Sequence, residues 1–374
     1  MKRLCVLVLW CLLCMTASLS RAEDTIKVAA IYAKTGEAAA DNTLHYMGAR
    51  YAVDELNQHG GVLGKKIELI EIDNQSTALG SRAAAQKAID AGVVAVIGAS
   101  YSSHSLAMAP LLQQAKIVMI TPIATNPDVT LVGNYIFRAC FIDSVLGEIG
   151  AEFALDDLKA KTAVVITNVS DKYSLGLSDF FAKKFTLLGG KIIGNAEYLD
   201  TTTDFSDILT KVKALQPDVV FLPGFYKDSG LLIKQARNMH LTTRFLGGDG
   251  WNDEMYKYGG DAINGNYFSS HWDRLSTTAK SRAFVSRYEA KLGTITTPGT
   301  PLSYDSVYLL ADAIRRANST DPAKIRDALA ATRDFEGVTG RISFDENRNP
   351  VGKPAIIFQF QNGKGVYIKT LTPR

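Results

Sequence analysis

Residues 93–127 read VVAVIGASYSSHSLAMAPLLQQAKIVMITPIATNP, and this stretch decides the fold. The short apolar run VVAVIG, closed by a glycine, is a buried strand, and GASYSSHS is a polar loop. SLAMAPLLQQA is the next helix, IVMIT a second buried strand and TPIATNP a second polar loop. Strand, loop, helix, strand, loop is the repeating unit of a mostly parallel sheet flanked by helices. Open sheets of this kind take ligands in the loops that follow strand C-termini, which makes the two polar loops the first place to look for chemistry.

The rhythm extends outward in both directions. Towards the N-terminus lie a strand over residues 25–33, a helix marked by Leu44, Met47, Tyr51, Ala52 and Leu56 that ends near Gly60 and Gly61, the strand KKIELIEID and the helix TALGSRAAAQKAIDAG. Towards the C-terminus, YIFRA and then a second series of alternating helices and strands runs from SVLGEIGAEFALDDL to RFLGG, which is a second α/β unit of the same kind. Two further helices, TAKSRAFVSRYEAKLG and YDSVYLLADAIRRA, a third near residues 322–331 and β runs to the end complete the chain. A helical insert of this size does not form a domain alone and is expected to pack back on the first unit. The absence of a long polar linker predicts short hinge crossovers.

At the start, Lys2 and Arg3 precede an apolar run from Leu4 to Met15, followed by Ser20, Arg21 and Ala22. That is the layout of a cleavable secretory signal over residues 1–22, since the run is shorter than the roughly 20 residues that span a bilayer. Its removal takes three of the 41 basic residues and none of the 38 acidic ones, so the formal charge falls from +3 to zero. No electrostatic case for nucleic acid remains. Cys5, Cys11 and Cys14 leave with the signal and Cys140 stays without a disulfide partner. The mature chain of roughly 350 residues is long enough for two cores of ordinary domain size.

An enzyme needs a constellation that this chain lacks. Its five histidines include no H-E-x-x-H pair, no phosphate-cradling glycine loop follows a strand, and no G-x-S-x-G elbow occurs. GGVLGKK lies between a helix and a strand and reads as a C-cap and turn. Cys140, in FRACFI, reads as an inert buried thiol. We expect no catalysis, no cofactor and no metal. The polar loops remain. Ser102 and Ser103 are expected as the N-cap and first-turn residues of a helix, where free N–H groups favour an anionic oxygen, although simple capping explains them as well. Thr121 and Thr125 offer hydroxyls from the neighbouring loop. GGDGWND places Asp249 in a turn beside Trp251, either as a solvated turn residue or as an anionic site group.

IKVAAIYAKTGEAAADN, GARYAVDELNQHGGVLGKKIELIEIDNQS, VIGASYSSHS, MITPIATNP, DKYSLGL, DVVFLPGFY, FLGGDGW, YDSVYLLADAI and GVTGRISFDENRNPVGK occur in that order. In these motifs the chain resembles the leucine/isoleucine/valine-binding family of type I periplasmic solute-binding proteins, which serve ABC importers. The resemblance implies two doubly wound parallel-sheet lobes joined by three crossovers, one formed by residues 23–142 and 273–352, the other by 143–272 and 353–374. It implies that Ser102, Thr125 and the backbone of Ile123 and Ala124 hold an α-carboxylate, that Asp249 holds an α-ammonium, and that Tyr173 and Phe225 close over the ligand. Tyr101 completes the candidate set from the serine loop. Departures concern the ligand: Asp249 stands where the branched-chain binders have glutamate, Asp41 or Asn42 adds polarity where they have an aromatic residue, and Ser100 and Tyr101 replace apolar and cysteine positions. The family disulfide is absent, with Ser76 and Tyr101 at its positions. The function implied is capture of an amino acid in the periplasm by a monomer that hands it to the membrane permease. A carboxylate or amide without an amine, or a sensory role for the closed form, remains open at this level.

Overall fold

A computed structural model describes residues 25–372, so the expected signal segment lies outside the described residues. The first run of elements is β1 (Ile26–Tyr32), α1 (Ala39–Gln58), β2 (Ile67–Asp73), α2 (Ala78–Asp90), β3 (Ala95–Gly98), α3 (Ser102–Gln114), β4 (Val118–Thr121), the single turn α4 (Asp128–Leu131) and β5 (Ile136–Arg138). The second is α5 (Asp143–Asp156), β6 (Thr162–Asn168), α6 (Lys172–Leu187), β7 (Lys191–Tyr198), α7 (Ser206–Leu215), β8 (Val219–Phe221), α8 (Tyr226–Asn238), β9 (Arg244–Gly247), α9 (Tyr256–Gly259) and β10 (Tyr267–Ser270). The third is α10 (Ala279–Leu292), α11 (Gly299–Ala317), α12 (Pro322–Ala330), β11 (Phe335–Gly337), β12 (Gly340–Ile342), β13 (Ala355–Gln361) and β14 (Lys364–Leu371).

Among the described residues the strands form two large sheets and one small hairpin. The first sheet has the order β2-β1-β3-β4-β5, every pair parallel. The second has the order β14-β13-β10-β9-β8-β6-β7, parallel from β7 to β10 and antiparallel where β13 and β14 are added. Without those two strands, the second sheet repeats the order of the first. In each, the winding reverses once, between β1 and β3 and between β6 and β8, and the loops beyond those strand ends frame a crevice.

β1 shows why a parallel sheet forms here. Six of its seven residues are buried, and successive side chains enter different cores: Val28, Ala30 and Tyr32 join Tyr51 and Leu56 of α1, while Ala29 and Ile31 join Ala85 of α2 and Met108 of α3. A strand covered by helices on both faces has no polar face to alternate with. α10 and α11 return to this unit, with Phe284, Tyr288, Leu302 and Val307 in the same core as β1. Their approach is close: a Cβ on Gly48 of α1 would lie 2.0 Å from the Thr300 carbonyl oxygen, so only glycine lets these helices meet.

Several element boundaries differ from the sequence reading. α1 begins at Ala39, before its first apolar marker, and thereby carries Asp41 and Asn42 on the helix. α11 begins at Gly299, five residues ahead of its apolar stripe, and β10 was not expected at all. The N-cap of α3 is Tyr101, in extended backbone and without a side-chain cap, so Ser102 is not the cap but the first helical residue.

Candidate functional site

The loops after β3 and β4 are clipped together. The Thr121 hydroxyl donates to the Ala99 carbonyl (2.6 Å) and accepts from the Ala124 N–H (3.1 Å), while the Asn126 N–H donates to Ser102 Oγ (3.2 Å). Arg138, at the end of β5 and fully buried, braces the second loop by donating to the carbonyls of Ala124 (2.6 Å), Asn126 (2.8 Å) and Pro127 (3.3 Å). A planar guanidinium with five donors suits this task, because a turn exposes several carbonyls in one plane. The first-turn N–H groups of α3 stay free of helix partners and point out of its N-terminus.

From the second unit come three further loops. Asp171 caps α6 by accepting the Tyr173 N–H (2.7 Å), which sets Tyr173 at the lip of the crevice. The Tyr173 hydroxyl accepts the Gly250 N–H (3.0 Å) of the loop after β9. That loop presents Asp249, whose Oδ2 meets His271 Nε2 at 2.7 Å. Burial holds the His271 imidazole below the usual histidine range, the Asp249 carboxylate opposing this only in part. The ring is therefore a neutral donor that fixes one oxygen of Asp249. The other, Oδ1, is buried without a protein partner. The ionisation of the Tyr173 hydroxyl is pushed far up by burial and then by the Asp249 charge. Across the crevice Thr125 Oγ1 is likewise buried and unpartnered. Asp143 lies close to it, its carboxyl held well above the usual range by burial, with the Thr125 hydroxyl opposing that shift.

Several of these groups line one cavity, whose empty space, counted out to open solvent, is about 380 Å³. Of the predicted residues, Tyr101, Ser102, Ile123, Thr125, Tyr173, Phe225 and Asp249 line it. Ala124 does not: it is buried behind them, with its N–H given to Thr121 and its carbonyl to Arg138, so it has no free backbone donor for a carboxylate. Of the two polar candidates at the start of α1, Asp41 lines the cavity, whereas Asn42 turns inward and accepts the Ala33 N–H (3.3 Å). The sequence reading did not assign His45, Ser100, Gly250, Asn252 and Thr297 to the site. His45 sits one turn after Asp41 on α1, a spacing that gave a local signal; Thr297 precedes α11 and had none.

The two walls touch. The Asn252 amide donates to Asp41 Oδ1 (3.1 Å), the Lys172 N–H to Ser103 Oγ (2.9 Å) and the Asn126 amide to the Lys172 carbonyl (2.8 Å). Lys227 pairs with Glu37 at the rim, and the rings of Tyr101 and Phe225 stack with centroids 4.1 Å apart. The arrangement offers hydroxyls and helix N–H groups on one side, a half-satisfied carboxylate on the other, and aromatic rings over both.

Residues 25–365 match a family model described as periplasmic binding protein. The leucine-, isoleucine-, valine-, threonine- and alanine-binding protein of Pseudomonas aeruginosa is 30% identical over 336 residues, covering 88% of each chain. The crystal structure of the leucine-binding protein LivK of Thermotoga maritima superposes with a TM-score of 0.90 at 36% identity, over 93% of this chain and 99% of that one. LivJ of Streptococcus pneumoniae, solved in complex with isoleucine, gives a TM-score of 0.88 at 33% identity, over 93% and 100%.

Proposed function

The chain belongs to the periplasmic binding protein family, and from that premise we propose that it captures an amino acid, branched-chain or related, in the cleft and delivers it to an ABC transporter. It is a binding protein, not an enzyme. The observation that carries the ligand class is the pair of buried, unpartnered oxygens in one cavity, Thr125 Oγ1 from the first unit and Asp249 Oδ1 from the second. A buried polar atom left without a partner costs about 1–3 kcal/mol, and a zwitterion supplies an acceptor for the first and a donor for the second.

In this reading Ser102, Thr125 and the backbone of Ile123 hold the α-carboxylate at the α3 N-terminus, Asp249 holds the α-ammonium, and Tyr101, Tyr173 and Phe225 close over both. The lobes are residues 23–142 with 273–352 and residues 143–272 with 353–374. Their shared strand order supports a site in the crevice between them. Residues 1–22 act as a cleaved leader to the periplasm, where the monomer meets the permease. A thermal-shift screen of amino acids beside aromatic and aliphatic acids tests the reading. Stabilisation by amino acids alone is expected; stabilisation by the plain acids alone would overturn it.

A further inference from the structure

The cavity contains a second polar assembly that the zwitterion head does not use. Asp41 Oδ1 accepts from the Asn252 amide, and Oδ2 lies 3.3 Å from His45 Nε2. That nitrogen is also 2.9 Å from Thr297 Oγ1, and His45 Nδ1 is 2.8 Å from Ser100 Oγ. Asp41, His45, Ser100, Asn252 and Thr297 are all buried, and all line the cavity. The ring is held in place by shape as well, since a Cβ on Gly299 would lie 2.0 Å from His45 Nε2.

The direction of these hydrogen bonds can be assigned. A carboxylate only accepts, so the ring proton belongs on Nε2, which faces Asp41 and Thr297; Nδ1 then accepts the Ser100 hydroxyl proton. Ser100 is left with lone pairs towards the cavity. Asp41 has lone pairs to spare, because a carboxylate offers about four acceptor sites and has two neighbours here. Asn252 adds one donor at most to the balance: its side-chain carbonyl is taken by the Glu254 N–H (2.9 Å) and one of its two amide protons already serves Asp41. No lysine or arginine lines the cavity, so Asp41 has only neutral hydrogen-bond partners and His45. Asp249, tethered by His271 at Oδ2 and without a partner at Oδ1, remains the group for the α-ammonium. An aliphatic side chain laid against Asp41 and Ser100 would strip water from acceptors and return nothing.

The geometry points to an amino acid whose side chain ends in a hydrogen-bond donor, a hydroxyl, amide or ammonium group, received by Asp41 and Ser100. This rests on the amino-acid reading above. It assigns Asp41 and Ser100 as specificity-determining residues and makes His45, through its two ring nitrogens, the residue that orients them.

The test uses three pairs of near-equal shape on the full mature protein, refolded free of carried-over ligand, by calorimetry: valine with threonine, leucine with asparagine, and norleucine with ornithine. The expected result is a polar member that binds tenfold or more tighter than its apolar partner in at least one pair. A lead below tenfold in every pair overturns the inference while leaving amino-acid capture standing. Failure of all six amino acids, with binding of a plain carboxylic acid, overturns the amino-acid reading itself. Ser100→Ala and Asp41→Asn, each checked for an unchanged melting profile, are expected to cut the lead tenfold. Asp249→Asn is expected to weaken both members of a pair alike. A lead that survives both of the first two variants removes the role given to this assembly.

Discussion

His271 Nε2 lies 2.7 Å from Asp249 Oδ2, and this contact leaves Asp249 Oδ1 as a buried acceptor with no protein partner. A carboxylate tethered at one oxygen cannot rotate away from the cleft, so the free oxygen is aimed before any ligand arrives. Preorganisation of that kind lowers the cost of binding.

Asp249→Ala is expected to lower amino-acid affinity by one to two decades, which corresponds to about 1.5–3 kcal/mol for a hydrogen bond to a charged group. Isothermal calorimetry reads it directly. Unchanged affinity would remove Asp249 from the site.

His271→Ala removes the tether and leaves the carboxylate in place. Affinity should fall by about tenfold, less than for Asp249→Ala, because a charged acceptor survives but must be ordered on binding. In the double variant the two losses should not add, since both act through one carboxylate. Additive losses measured by calorimetry would separate the residues.

Phe225→Ala deletes the ring stacked on Tyr101 across the cleft. An aromatic pair contributes about 0.5–1.5 kcal/mol beyond its buried area, so the ligand should leave roughly three to ten times faster with a smaller change in its arrival rate. Stopped-flow fluorescence distinguishes the two, and a purely slower arrival would contradict a closing role.

Arg138→Met should destabilise the fold by about 3 kcal/mol or more, because it strips donors from carbonyls buried in the loop after β4. Thermal melts followed by circular dichroism should show the loss with or without an amino acid present. A variant as stable as the parent would mean the loop holds its shape without the guanidinium.

Burial lowers the His104 imidazole to about 4 from an ordinary 6.5, with a hydrogen bond to the Ser76 backbone and then the Asp200 charge opposing. Between these values the unfolded chain binds a proton that the folded chain refuses, so stability falls as the pH drops from 6.5 towards 4. The slope from this residue alone approaches about 1.4 kcal/mol per pH unit. His104→Gln should flatten the dependence of melting temperature on pH in that window, and a parallel curve would show that the ring is not buried neutral.

The loops after β3, β4 and β9 were legible in the sequence because each joins an apolar run to polar turn residues within a few positions. Three kinds of information were not. Ala124 looked available because nothing local reveals that the Thr121 hydroxyl takes its N–H. The start of α1 was hidden because EAAADN has no apolar period, although it carries Asp41 into the cavity. Thr297 meets His45 only because α11 packs on α1, a contact between residues 252 positions apart that no local pattern encodes.

Cys140 is the sole cysteine among the described residues, enclosed in the core with its thiol pushed up to about 12 by burial. A thiol in that state barely forms the thiolate that reacts. The described residues thus offer a silent background for labelling: among them, a cysteine introduced on an exposed position of either lobe would take a maleimide dye alone. Distances between two such dyes could then report opening and closing one molecule at a time.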